Sequence, residues 1–151
     1  MYEKAIQDYY PDDIAVCYGC GRHNPSGLAV KTYWDGSEGI CRFTPHNDHL
    51  AYPGVIYGGI IACLIDCHSI GTAVAAAHDA EGKILGVDPL NLFFTGRLEI
   101  DYLAPTPVGM ELVLRARVEE ATPRKSVVSC TVHVDDVLCA KARVVAVRKR
   151  D

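Results

Sequence analysis

The chain has 151 residues, 49% of them hydrophobic and 23% charged, with a formal net charge of −4 at pH 7. That length suits one domain with a sizeable core. The acidic balance excludes the basic footprint of a nucleic-acid binder, although a few local Lys or Arg residues suffice for an anionic ligand. Met1-Tyr2-Glu3-Lys4 leads into a polar stretch and not into an apolar leader. Seven cysteines is an odd count, and two of them, Cys63 and Cys67, lie inside an apolar run. A disulfide framework is not expected from that pattern, so reduced thiols and a cytoplasmic protein are.

In chain order, residues 1–26 form an irregular segment and residues 27–151 a single domain. Gly27 to Trp34 predicts a strand with Leu28, Val30, Thr32 and Trp34 on one face. Asp35-Gly36 is a hairpin turn, and Glu38 to Phe43 returns as a second strand. Thr44 to Pro53 is a loop. A helix follows from Gly58 to His78, and Asp79 to Asn91 is again a loop. Four strands then succeed one another. Leu92 to Leu103 carries Leu98, Ile100 and Tyr102 on one face. Glu111 to Glu119 alternates with Leu112, Leu114, Ala116 and Val118 inward. Ser126 to Val134 turns at Asp135-Asp136 into Val137 to Val147.

Short links demand antiparallel pairing, and a helix apolar all round must be covered. The class is therefore α+β with one central helix. The apolar run from Pro53 to Ala77 also has the length of a membrane span. Asp66 and His68 near its middle argue against one, since an Asp there costs about 2.5–3.5 kcal/mol.

The chemistry concentrates in Tyr52-Pro53-Gly54-Val55-Ile56-Tyr57-Gly58-Gly59 and the helix after it. Every residue from Ile60 to Ile65 is apolar, and then comes Asp66. A carboxylate in such a setting is a site candidate, as general base or as nucleophile. Gly58 and Gly59 open the helix, where backbone N–H groups lack intrahelical partners and favour an oxyanion; close packing against a sheet is the other use of such a pair. Gly58 and Asp66 are about 12 Å apart along one helix axis. One helix cannot readily bring both to one small group, whereas two antiparallel helices of a dimer can.

Pro53-Gly54 followed by Tyr57-Gly58-Gly59, with Asp66 nine positions after Tyr57, resembles the hotdog-fold acyl-CoA thioesterases of the phenylacetic-acid-degradation type. Their signature is Pro-Gly-x-x-His-Gly-Gly with the catalytic acid nine positions after the His. Cys17-Tyr18-Gly19-Cys20-Gly21-x-x-Asn24-Pro25-x-Gly27-Leu28 looks like the N-terminal element of one branch, and Leu98 to Pro105 like the strand after the helix. The resemblance implies a hotdog fold, an antiparallel sheet of about six strands wrapped round one long helix. It implies hydrolysis of an acyl-CoA by Asp66 and the Gly58 N–H, at two sites shared across a homodimer. A dimer of dimers is common in such families. It further implies that Thr95 holds the attacking water beside the acid; an ordinary strand Thr is the alternative. Thr95 alternates with Arg97 and away from Leu98, and Gly96 marks a bulge that would re-aim it. Tyr57 replaces the usual His, as a hydrogen-bond donor to the acyl carbonyl or an aromatic staple.

The remaining candidates are weaker. His49 and Asn47 lie in the loop before the helix. Ser69, three positions past Asp66, shares its face and is expected to support the carboxylate. His68, on a nearly opposite face, reads as a core residue. Arg124-Lys125 is a candidate contact for CoA phosphates. Cys17-x-x-Cys20 with His23 is half a zinc site or a redox pair; zinc needs four ligands, and there is no second Cys-x-x-Cys, so no metal is expected. No organic cofactor is expected either. Two other functions stay open: a hotdog enoyl-thioester hydratase or dehydratase, with His49 beside the acid, and a non-catalytic acyl-CoA binding or sensing domain.

Overall fold

Alternation and turn chemistry lay out most of the sheet. The computed structural model describes residues 2–151. Its six-stranded antiparallel sheet runs β1 (Tyr33–Trp34), β2 (Gly39–Phe43), β6 (Leu112–Ala121), β7 (Lys125–Val134), β8 (Val137–Arg148) and β5 (Phe93–Tyr102) across its width. Leu112, Leu114 and Ala116 of β6, Val128, Cys130 and Val132 of β7, and Ala140, Val144 and Ala146 of β8 point into the core. The predicted antiparallel succession of these three strands and the inward face predicted for β6 are observed.

One helix, α1 (Gly58–Ala80), packs on that inner face and touches β2, β5, β6, β7 and β8. Its 23 residues make it apolar and long enough to cross a membrane by composition alone. In the fold that apolarity is accounted for by packing: Gly71 to Ala75 are all buried, so the helix is enclosed on every side over that stretch. A small hairpin, β3 (Leu50–Tyr52) and β4 (Val55–Ile56), lies within the loop that enters α1.

The segment before β2 departs from expectation. Leu28, Val30, Thr32 and Trp34 do face inward, but only Tyr33 and Trp34 pair with the sheet. Residues 28–32 bond instead to the chain before them: Leu28 N–H to the Tyr18 carbonyl, Val30 N–H to that of Gly19, and Ile6 N–H to that of Thr32. Ala29, at φ 52°, interrupts the extended run. Residues 2–26 are therefore no appendage. Ala5 and Ile6 are fully buried, and Ile6 belongs to the main core cluster.

A buried polar chain fastens this cover to the helix. The Gln7 amide donates to Thr32 Oγ1 at 3.0 Å, and its carbonyl accepts the Thr32 N–H at 2.8 Å. Thr32 Oγ1 lies 2.9 Å from His68 Nδ1, and burial pulls the imidazole down to about 3, so it is neutral. Gly71 is what allows the approach, because a Cβ there would lie 2.7 Å from Gln7 Nε2. His68 is thus the core residue expected. Replacing Gln7 with Ala leaves the buried Thr32 N–H without its acceptor and should cost about 1–3 kcal/mol. Urea unfolding measures it; a loss below about 0.5 kcal/mol would mean that residues 2–26 do not share the cooperative unit.

Candidate active site

Asp66 sits two turns inside α1, half-buried, and needs a partner. The strand β5 supplies one through an irregularity. Leu98 opposes Val144 and Thr95 opposes Ala146, with a register shift between Thr95 and Arg97 that leaves Gly96 unpaired. Val144 and Ala146 are two apart on β8 and both fully buried. The bulge therefore puts Thr95 on the same inner face as Leu98, where strict alternation would have turned it outward. From there the Thr95 hydroxyl donates to Asp66 Oδ1.

The pair opens into a cleft of about 480 Å³ whose walls include Tyr10, Ile14, Ile70 and Phe93. Burial in these apolar walls pushes the Asp66 carboxyl up from its ordinary range; the Thr95 hydrogen bond pulls the other way, and the nearby Cys17 adds to the rise. Lys149 also lines the cleft and lines an adjoining groove with Arg124 and Arg150. A basic margin thus continues from the carboxylate's cleft to Arg124. Lys125 is exposed at the start of β7, where it pairs with Val147.

The helix N-terminus lies at the other end of β5. Tyr57 is the N-cap and makes no side-chain capping bond, so the first N–H groups of α1 keep their donor capacity. The Tyr57 side chain is 56% exposed, and its ring lies over Gly59. Tyr102 donates its hydroxyl to the Gly58 carbonyl at 2.7 Å. The sequence placed Tyr102 on the inner face, but its reach to Gly58 depends on how β5 lies along α1.

Several expectations need correction. Ser69 does not support Asp66: it is fully buried and lies beside the Cys130 thiol of β7. Sharing a helix face three residues apart was insufficient, because Asp66 meets β5 and Ser69 meets β7. His49 is 9% exposed, and its Nδ1 accepts the His46 N–H at 3.2 Å while its ring packs tilted against that of His46. Its link to the helix is through the backbone, its carbonyl accepting the Tyr57 N–H at 2.8 Å. Asn47 is exposed in the same turn. The structure therefore joins Asp66 to Thr95 and gathers Tyr57, Gly58 and Gly59 at the helix start, and leaves Ser69 apart from both groups.

The thioesterase superfamily model matches residues 53–136, which hold the helix and its approach. The chain belongs to the thioesterase superfamily. A structure of a thioesterase superfamily protein from Shewanella loihica is 40% identical, covers 93% of this chain and 100% of its own, and superposes with a TM-score of 0.69. Acyl-coenzyme A thioesterase THEM4 of Xenopus laevis is 30% identical over 105 residues, 68% of this chain and 41% of that protein. The chain thus spans about two fifths of the curated relatives it matches. A Streptococcus mutans protein crystallised with acetyl CoA shares the fold at 20% identity, with a TM-score of 0.66 over 80% of this chain and 88% of its own. The hotdog expectation holds.

If the bulge exists to serve the carboxylate, Thr95 and Asp66 must be energetically coupled. Thr95→Val and Asp66→Asn, alone and together, should show a coupling of about 0.5–2 kcal/mol in urea unfolding. Thr95→Ser should behave as the parent. Additivity within about 0.3 kcal/mol would mean that the hydrogen bond adds nothing.

Proposed function

We propose that the protein hydrolyses acyl-CoA thioesters to a carboxylate and free CoA, with Asp66 as the acid–base group. The observation that carries this reading is the Thr95 hydroxyl bonded to a carboxylate within an apolar cleft of a thioesterase-superfamily domain. The acyl chain occupies the cleft. A water held by Thr95 gives its proton to Asp66 and attacks the acyl carbon, and the C–S bond breaks. The Asp66 proton passes to the departing sulfur. A direct attack by Asp66 would instead give a mixed anhydride, which water then cleaves. The acetyl CoA in the Streptococcus mutans relative is in keeping with this ligand class, and Arg124, Lys149 and Arg150 offer charge for its phosphates.

The oxyanion needs a donor, and the Gly58 N–H of the same chain is about 12 Å along the helix from Asp66. The Gly58 N–H of a second copy meets the need in a two-fold dimer. A free sheet edge supports that assembly: β5 pairs with β8 on one side, and among the described residues no strand pairs with the other. Phe94, Tyr102 and Leu103 are exposed there. A hydratase would require an imidazole at the acid. The His49 Nδ1 is taken by the His46 N–H, and no histidine is among the described residues lining the cleft.

Asp66→Asn should lower turnover by on the order of 10²–10⁴ with the fold intact. Gly58→Pro removes the donor cleanly, since Pro is tolerated at the first helical position and Tyr57, at φ −61° and ψ 129°, already has the backbone that precedes a proline. It should cost on the order of 10²–10³. A purified heterodimer of the two variants should recover half the parent turnover, because one of its sites is intact. An inactive heterodimer would place both groups in one chain's site.

Tyr57→Phe should lower turnover no more than about tenfold, the scale of one neutral hydrogen bond, and Tyr57→His should stay active. Steady-state kinetics on a panel of acyl-CoAs checks both. Complete loss in Tyr57→Phe with an intact fold would make its hydroxyl a principal catalytic group.

A further inference from the structure

Four of the seven cysteines meet where the N-terminal loop crosses the helix. Cys63 and Cys67 are one turn apart on α1 and so share a face. Cys17 and Cys20 come from the loop above them. The sulfurs of Cys17, Cys20 and Cys67 lie within 4.8 Å of one another, and Cys17 Sγ is 3.8 Å from Cys67 Sγ. Gly19, between the loop cysteines, sits directly on the helix sulfurs: a Cβ there would lie 2.2 Å from Cys67 Sγ and 3.1 Å from Cys63 Sγ. The absence of a second Cys-x-x-Cys argued against a metal, but the fold itself brings up the second pair, as Cys-x-x-x-Cys on a helix.

We propose that Cys17, Cys20, Cys63 and Cys67 bind one structural zinc ion. Tetrahedral zinc at about 2.3 Å from each sulfur sets neighbouring sulfurs about 3.8 Å apart, which is the Cys17–Cys67 separation. Cys63 completes the set by turning its side chain toward the other three. A single disulfide would use two of these sulfurs and give no reason for the others to converge. An all-sulfur set selects a soft metal over magnesium or calcium.

The closed site leaves no position for substrate, so the ion takes no part in hydrolysis. Its place in the fold defines its work. Cys67 follows Asp66 in the chain, and Cys17, Cys20 and Cys67 all line the cleft that holds the carboxylate. The metal would pin the loop that forms one wall of that cleft to the helix that carries the acid.

The test uses the full chain purified from zinc-supplemented cells under reducing conditions. Elemental analysis should find one zinc per chain. Exchange into cobalt should give a thiolate-to-cobalt charge-transfer band and the visible bands of a tetrahedral ion. Cys17→Ser and Cys67→Ser should lose the zinc and the cobalt spectrum, and Cys63→Ser should lose the four-sulfur spectrum. Cys139→Ser, elsewhere in the core, should keep both. Chelation should lower the thermal midpoint of the parent and leave that of Cys67→Ser unchanged. Protein that holds no zinc and takes up no cobalt overturns the proposal. So does a disulfide among these cysteines in protein prepared without reductant, or a Cys67→Ser variant that retains metal as Cys139→Ser does.

Discussion

A helix without a polar face has to be covered on every side, and the rest of this fold follows from that demand. The sheet covers one side of α1. The other side is covered by residues 2–32, which bring Ala5, Ile6, Leu28 and Val30 into the core. Covering apolar surface contributes about 25 cal/mol per Å², but the cover must also dispose of its own backbone polar groups. It does so with bonds between its two limbs, and through Gln7, Thr32 and His68 at its closest approach to the helix. The two covers leave a seam between them. Asp66, Thr95, Cys17, Cys20 and Cys67 all lie along it.

The seam explains why a carboxylate can persist in the helix. A fully buried ion would be unstable without a charged partner, and one at the surface would have an ordinary affinity for protons. Asp66 is between those limits, half-buried with a single hydroxyl donor, and burial outweighs that donor in setting its proton affinity. The donor arrives only because β5 breaks register at Gly96. A bulge costs a ladder bond, and the strand tolerates it near its start, where the side chain is re-aimed at the helix.

Periodicity made the sheet and the helix legible. Strict alternation marked the inward residues of β6, and the unbroken apolar run marked α1. Gly96 was readable as a bulge because a glycine interrupts an otherwise regular strand. The failures share one cause, which is that helical spacing fixes a residue's face but not what stands opposite. Asp66 and Ser69 are neighbours on the helix, yet one meets Thr95 and the other Cys130. His49 was near the helix start, but the loop's own turn claimed its ring. The segment at 27–32 had a strand's alternation, and its partners were the preceding residues and not the sheet. The convergence of the cysteines was hidden for a similar reason: Cys63 and Cys67 read as helix interior, and only the fold lays the loop carrying Cys17 and Cys20 on them.

The continuity of α1 from Gly58 to Ala80 gives it a further role as a ruler. On the proposed reading, the acid and the oxyanion donor are both fixtures of one rigid element, held at a separation that forbids their joint use within a chain. Neither can drift toward the other, because both are set on one continuous helix. Tyr102 reinforces the separation by bonding the Gly58 carbonyl from the far end of the strand that presents Thr95 to Asp66. β5 thus supports both half-sites of its own chain, and it is also an edge strand. Any partner that paired with this edge would be aligned at once to both ends of the ruler. Assembly and assembly of the site would then be a single event, with the geometry of the site fixed by strand pairing and not by flexible side chains.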